Sequence, residues 1–391
     1  MTGPGASGDE APYRPSIVET VIGFVPGFLA CEVCAGRGHP RVALDRVLDE
    51  YIDYGPLFVA FSGGRDSSVL LAAAVARARA TDRPDPVPVT LRYPGEPLTQ
   101  ESTWQEDIVA HLGLTRWDVI NVARGDHDLV GPVAAAALRR HGPLWPAPAV
   151  TRSTLMKAAR GGVLITGEGG DEVFADGRTA VPSALVRRLV PPSRERAYIC
   201  LRECLPRPLR RRHLQRTVVA NLPHPWLRPP ALKAFHRRLV DDLAREPLRR
   251  DRGVLRAVSA RSATLGAGTY RWLAEHHQTR WLEPLRDPRF VASLAHWVGP
   301  VGPGGRTRTM TGLFSDLLPP ALLFRHDKAS FQHAYLGDHT WAFAQAWKGD
   351  GVPHEMVDWR ALRRTWMSKE PDASASLLLH AAWLATTGAA S

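Results

Sequence analysis

No apolar stretch in this chain approaches the roughly 20 residues that a helix needs to cross a bilayer. The nearest, Val21 to Ala30, is broken by Gly23, Pro26 and Gly27. The segment from Met1 to Pro15 is polar, rich in Gly and Pro, and carries Asp9 and Glu10. That composition excludes the basic-then-apolar pattern of a secretory signal. A cytoplasmic protein with no membrane partner is expected. Cysteine is scarce, with Cys31, Cys34, Cys200 and Cys204 the only four. Cys-x-x-Cys with Cys-x-x-x-Cys could together close a four-thiolate zinc or iron–sulfur site. The simpler reading is that Cys200 and Cys204 are two small buried residues of a helical stretch. No internal repeat is visible, which excludes a solenoid.

What is present in excess is positive charge. The 391 residues carry a formal net charge of +11, densest at Arg207, Arg210, Arg211, Arg212, His213 and Arg216. Such a cluster suits a solvated helix face, and it also suits an acidic peptide, a carrier protein or RNA. Arg enrichment accompanies high Ala and Pro throughout the chain, so the solvated face is preferred and a nucleic-acid partner is not expected. With 44% hydrophobic residues the chain can bury a full core. Residues 1–41 read as a flexible lead with a short apolar segment, and 42–185 as an α/β domain. Residues 186–391 read as a mainly helical region broken by Pro, including the loop from Pro300 to Gly305.

Within 42–185, apolar runs alternate with helical patterns. Strands are expected at Leu57–Phe61, Val87–Arg92, Trp117–Val122 and Gly162–Thr166. Helices are expected at Val42–Tyr54, Val69–Arg79 and Ser102–Leu112. This alternation predicts a parallel sheet with helices on both faces, with ligands held beyond the carboxyl ends of the strands. Ser62-Gly63-Gly64-Arg65-Asp66-Ser67-Ser68 joins the first strand to its helix. Glycines there let the backbone approach an anion, and the helix N-terminus favours negative charge. Ser62, Ser67 and Ser68 add hydroxyl donors, and Asp66 suits a magnesium ion beside phosphates. The Gly-Lys-Ser/Thr ending of a Walker loop is absent, so chemistry at a γ-phosphate is not indicated.

Ser-Gly-Gly-x-Asp-Ser after a strand resembles the PP-loop of the ATP pyrophosphatase superfamily. That resemblance implies ATP cleaved between its α and β phosphates. Gly167-Glu168-Gly169-Gly170-Asp171-Glu172, again after a strand, resembles the Gly-Glu-Gly-x-Asp-Glu motif of asparagine synthetases. Gly167, Gly169 and Gly170 then belong to the nucleotide site. Asp66 and Asp171 would hold one Mg²⁺ between them, and Glu168 would handle the amine nucleophile. Arg325-His326-Asp327-Lys328-Ala329-Ser330-Phe331 resembles the late Arg-x-x-Lys-x-x-Phe segment of asparagine and β-lactam synthetases. The resemblance gives Lys328 the role of stabilising charge on an acyl-adenylate.

Two departures accompany the resemblance. Pro284-Leu285-Arg286-Asp287 is a worn form of the family's Pro-Phe-Leu-Asp stretch, and Arg280 stands where relatives often carry Glu four residues before that Pro. Glu101 matches a family position near the nucleotide, although a lone Glu there also suits a helix cap. Residue 2 is Thr, and the PP-loop already begins at Ser62. The expectation is therefore a synthetase half without the glutaminase domain of asparagine synthetases, covering about residues 42 to 345. Its substrates would be ATP, a small-molecule or peptide carboxylate, and an amine or ammonia. A partner protein could bind a leader peptide or supply ammonia. Natural-product amidation and macrolactam closure, as in lasso-peptide cyclases, both fit. A tRNA-modifying PP-loop enzyme is the alternative, supported by charge and Cys-x-x-Cys and opposed by the second and third motifs.

Overall fold

The computed structural model describes residues 12–29, 36, 38–99, 101–221, 224–324 and 331–388. Five strands form one sheet: β1 (Leu57–Ala60), β2 (Val87–Arg92), β3 (Asp118–Asn121), β4 (Val163–Ile165) and β5 (Arg280–Leu282). Their order is β3-β2-β1-β4-β5 and every pairing is parallel. Four strands lie where the apolar runs place them, within a residue or two at each end. The fifth lies inside the region expected to be helical. Three residues following the helix Arg261–His276 carry no periodicity of their own. Only pairing of Val163 with Arg280 and Ile165 with Leu282 makes them a strand.

Parallel strands buried on both faces need apolar residues at nearly every position, and alternate residues must face opposite layers. Phe58, Leu164, Val87 and Val89 join one core with Tyr270, Trp281 and Trp383. Leu57, Val59, Val163 and Ile165 join the other with Leu44, Leu70, Leu71 and Phe290. The helix Arg65–Ala80 starts directly after the Gly-Gly turn and buries every residue from Ser67 to Val75. Its Ala-rich face permits that close seating against the sheet.

The basic helix Arg207–Asn221 is largely the solvated face expected, with Arg207, Arg211, Arg212 and Arg216 exposed and one member turned inward. Arg210 is buried and bonds Glu203 at 2.7 Å and Glu246 at 2.9 Å, while Arg211 pairs with Asp241 at 2.6 Å. Part of the cluster is therefore internal structure rather than a solvated face.

Near the amino end, Ser16 and Glu19 form a reciprocal capping box on the helix Ile17–Ile22, whose Val21 and Ile22 enter the core. Burial opposes the charge of Glu19. The Tyr13 hydroxyl at 2.6 Å, the Ser16 N–H at 2.9 Å and the Arg261 guanidinium outweigh it and bring its pKa down to about 2 from 4.5. A depressed carboxyl stabilises the fold fully above about pH 4.5, and this contribution is lost as pH falls toward 2. Glu19→Gln is expected to lose about 2 kcal/mol near neutral pH in urea denaturation. The difference from the parent should shrink near pH 2.

Candidate active site

Because β1 and β4 are adjacent and parallel, the loops that follow them leave the sheet at one end. The strand order reverses between these two, which is where open α/β sheets bind ligands. A cleft of about 570 Å³ opens there. Ser62, Gly64, Asp66, Ser67, Gly167, Glu168, Gly169 and Asp171 line it, together with Glu101, Arg152, Trp281 and Arg306. The other expected members, Gly63, Ser68 and Gly170, stand behind these. Lys328 and its neighbours from 325 to 330 lie outside the described residues, as do Cys31 and Cys34. Phe331, next to that segment, lines the cleft.

The first loop is held from within. Gly64 N–H donates to Ser62 Oγ at 3.2 Å, while Ser67 and Ser68 hydroxyls donate to the Gly64 carbonyl at 3.0 and 2.8 Å. Gln105 Nε2 donates to the Ser62 carbonyl at 2.8 Å, fastening the loop to the helix Ser102–His111. Gly63 has φ +87°, and a Cβ on it would come within 2.9 Å of Gln105 Cγ. Gly64 caps the helix Arg65–Ala80 without a side-chain acceptor, which leaves the dipole end directed at the cleft. The second loop packs onto the first. A Cβ on Gly170 would lie 2.3 Å from Asp66 Cγ, so only glycine admits the Asp66 carboxylate at that point. Glu172, beyond it, is held at 2.5 Å by Arg286, which also bonds Glu283 at 3.1 Å.

Asp66 and Asp171 do converge, and an arginine marks where. Arg306 donates to both oxygens of Asp66 at 2.8 and 2.6 Å and to Asp171 at 2.7 Å. Its own backbone N–H bonds Asp176 at 2.6 Å. The two carboxylates are unequal: Asp66 is 18% exposed and Asp171 61%. Burial lifts the Asp66 carboxyl above its usual range, with Arg306 opposing and Asp171 reinforcing the shift. Two carboxylates reaching one cation offer the hard oxygen donors that Mg²⁺ prefers. Among the described residues no group of three or more His, Cys, Asp or Glu could hold a metal. Magnesium is characteristically bound by one or two carboxylates with phosphate and water completing the shell, so the pair fits it. The cysteines of the helix Arg194–Glu203 and its cap, Cys200 and Cys204, are free and not buried as expected: this helix lies at the surface, with Cys200 half-buried and Cys204 exposed.

Other expected residues resolve differently. Glu101 is buried and lines the cleft, and its side chain does not cap the helix behind it. Arg280 is at the amino end of β5, exposed and stacked 3.9 Å from the Tyr54 ring centroid. It is therefore at the opposite end of the sheet from the cleft. The carboxylate that β5 delivers to the carboxyl end is Glu283, which accepts from Trp281 Nε1 at 2.8 Å. Burial raises its pKa, with Arg286 opposing. Arg152, Arg306 and Glu283 were not foreseen. The Gly304-Gly305-Arg306 step after a Pro/Gly loop was the only local signal for any of them.

The family model for asparagine synthase matches residues 49–378. The chain belongs to the asparagine synthase family. Membership brings an ATP-dependent ligase-type activity, generally with Mg²⁺. No curated protein matches the chain.

Removing the Arg306 guanidinium leaves Asp66 and Asp171 without their direct ion pair, with Arg65 as the nearby positive charge, and a divalent cation gains access to both carboxylates. Arg306→Gln is expected to bind Mn²⁺ about tenfold more tightly than the parent in the absence of nucleotide. Electron paramagnetic resonance titration reads this directly. Unchanged affinity would mean that the guanidinium and the metal do not compete for one site.

Proposed function

We propose that this asparagine synthase family member is an AMP- and pyrophosphate-forming carbon–nitrogen ligase. The observation that supports it best is the meeting of Asp66 and Asp171, from loops after two neighbouring strands, on one cation beside Glu168. In the first step an oxygen of the substrate carboxylate bonds to the α-phosphorus of ATP. The α–β anhydride bond breaks, and pyrophosphate departs along the Ser62–Ser67 loop and the adjacent helix N-terminus. In the second step an amine nitrogen bonds to the acyl carbon and the acyl–oxygen bond to AMP breaks. The amine proton passes to Glu168 or through it to solvent. Asp66 and Asp171 would hold magnesium, which would supply charge neutralisation at the phosphates. Lys328 takes the role its motif suggests, stabilising charge on the acyl-adenylate.

The amine is either ammonia, free or delivered by a partner protein, or a group of the substrate itself, which closes a macrolactam. Both belong to natural-product or peptide chemistry. The tRNA-modifying alternative is weakened because the asparagine synthase model matches residues 49–378.

Pyrophosphate release measured across candidate carboxylates, with and without ammonia, tests the reading. AMP and pyrophosphate should appear in equal amounts, and ammonia dependence separates the two amine sources. ADP and orthophosphate as products would overturn adenylation. Asp66→Ala and Asp171→Ala are each expected to lower kcat/KM by about 100-fold or more.

A further inference from the structure

Arg152 occupies the floor of the cleft, between the 3₁₀ turn Ala147–Thr151 and the helix Ser153–Ala158. It belongs to neither sequence motif, and the chemistry above gives it no task. Its side chain is 25% exposed, yet its Nε is buried without a hydrogen-bond partner. The nearest carboxylate, Glu168 Oε1, is 3.7 Å from Nη2, an ionic contact too long to consume a donor. Around it stand the phenols of Tyr93, Tyr270 and Tyr335. Tyr270 itself stacks on Trp281 at 4.7 Å, and Tyr93 bonds His127 at 2.9 Å, so the surrounding wall is built rather than loose. Burial works against the guanidinium's charge, the Glu168 carboxylate favours it, and the Tyr270 hydroxyl is hydrogen-bonded to it.

A partly buried guanidinium with unused donors on the floor of a cleft is a receptor for a planar, bidentate anion. The phosphate side of the cleft already has its own equipment in the Ser62–Ser67 loop, the helix N-terminus and the metal carboxylates. We propose that Arg152 binds the carboxylate of the acyl substrate and presents it for activation. Glu168, 3.7 Å away, is the residue to which the ligase reading gives the amine. Opposite charges at that spacing sort the two reactants of amide formation, one to each side chain. The cation takes the acid and the anion takes the amine. This inference rests on the ligase reading above.

The test uses the full chain with Mg-ATP and a set of small acids: acetate, succinate, glutarate, L-aspartate, L-glutamate and their N-acetyl forms, with methyl esters as controls. Phenylglyoxal labelling of Arg152, followed by mass spectrometry, reads occupancy without requiring turnover. At least one acid should slow labelling about tenfold or more while its ester does not. In ATP–pyrophosphate exchange with that acid, Arg152→Lys and Arg152→Gln should raise its half-saturating concentration about 10- to 100-fold. Both should leave the KM for ATP and the thermal shift on ATP binding unchanged, and Lys should be the milder. Two results would overturn the proposal: labelling that no acid slows, or an unaltered half-saturating concentration in both variants. Protection by ATP alone would also overturn it, because Arg152 would then belong to the phosphates. Protection by an acid with only ADP and orthophosphate formed would keep Arg152 as the carboxylate receptor and reject adenylation.

Discussion

β1 and β4 lie side by side and run the same way, so the segments after them emerge at one end of the sheet and must share a small volume. The tightest point of that sharing is the contact between Asp66 and Gly170, where a single Cβ would sit 2.3 Å from the carboxyl carbon. Everything in the cleft follows from it. The serine hydroxyls of the first loop turn inward to their own backbone, and the helix after Gly64 points its amino end at the opening. The acidic end of the second loop comes within reach of the same arginine as the first. Strand pairing thus converts two short, separate Gly-rich stretches into one site.

Charge is the second constraint. Asp66, Glu101, Glu168, Asp171 and Glu172 gather around one opening, an arrangement that like-charge repulsion and burial would oppose without cations. Three arginines divide the task. Arg306 bridges the two carboxylates assigned to metal, Arg286 holds Glu172 and Glu283, and Arg152 faces Glu168 from hydrogen-bonding distance and a little more. The first two are committed by direct, short contacts. Arg152 makes no carboxylate contact shorter than 3.7 Å, and for that reason it stands apart as a binding group.

The residues that were legible beforehand were those in compact, ordered motifs. Ser62 through Ser68 and Gly167 through Asp171 each sit between a strand and a helix, so their placement needed only local periodicity and one adjacency. β5 was not legible, because three residues become a strand only when a neighbour supplies the hydrogen bonds. Arg280 was judged by its spacing from Pro284, yet it lies at the amino end of that strand, stacked on Tyr54. Spacing along a chain does not say which end of a strand faces the ligand. The basic cluster at 207–216 is mostly the solvated face its composition suggested, but its inward member, Arg210, was not legible, since it meets Glu246 across a gap of 36 residues.

The sequence by itself settled the fold class, the two loops with their acids Asp66 and Asp171, and the absence of any long apolar span. These depend on local patterns, where hydrophobic period, glycine and helix start are all written within a few residues. Tertiary structure alone decided which cations answer those acids. Arg306 lies 240 residues from Asp66, and Arg152 stands beside Glu168 at the start of the helix Ser153–Ala158, which packs against β2. Electrostatic partnership acts through space over a few ångströms, and no pattern along the chain records it.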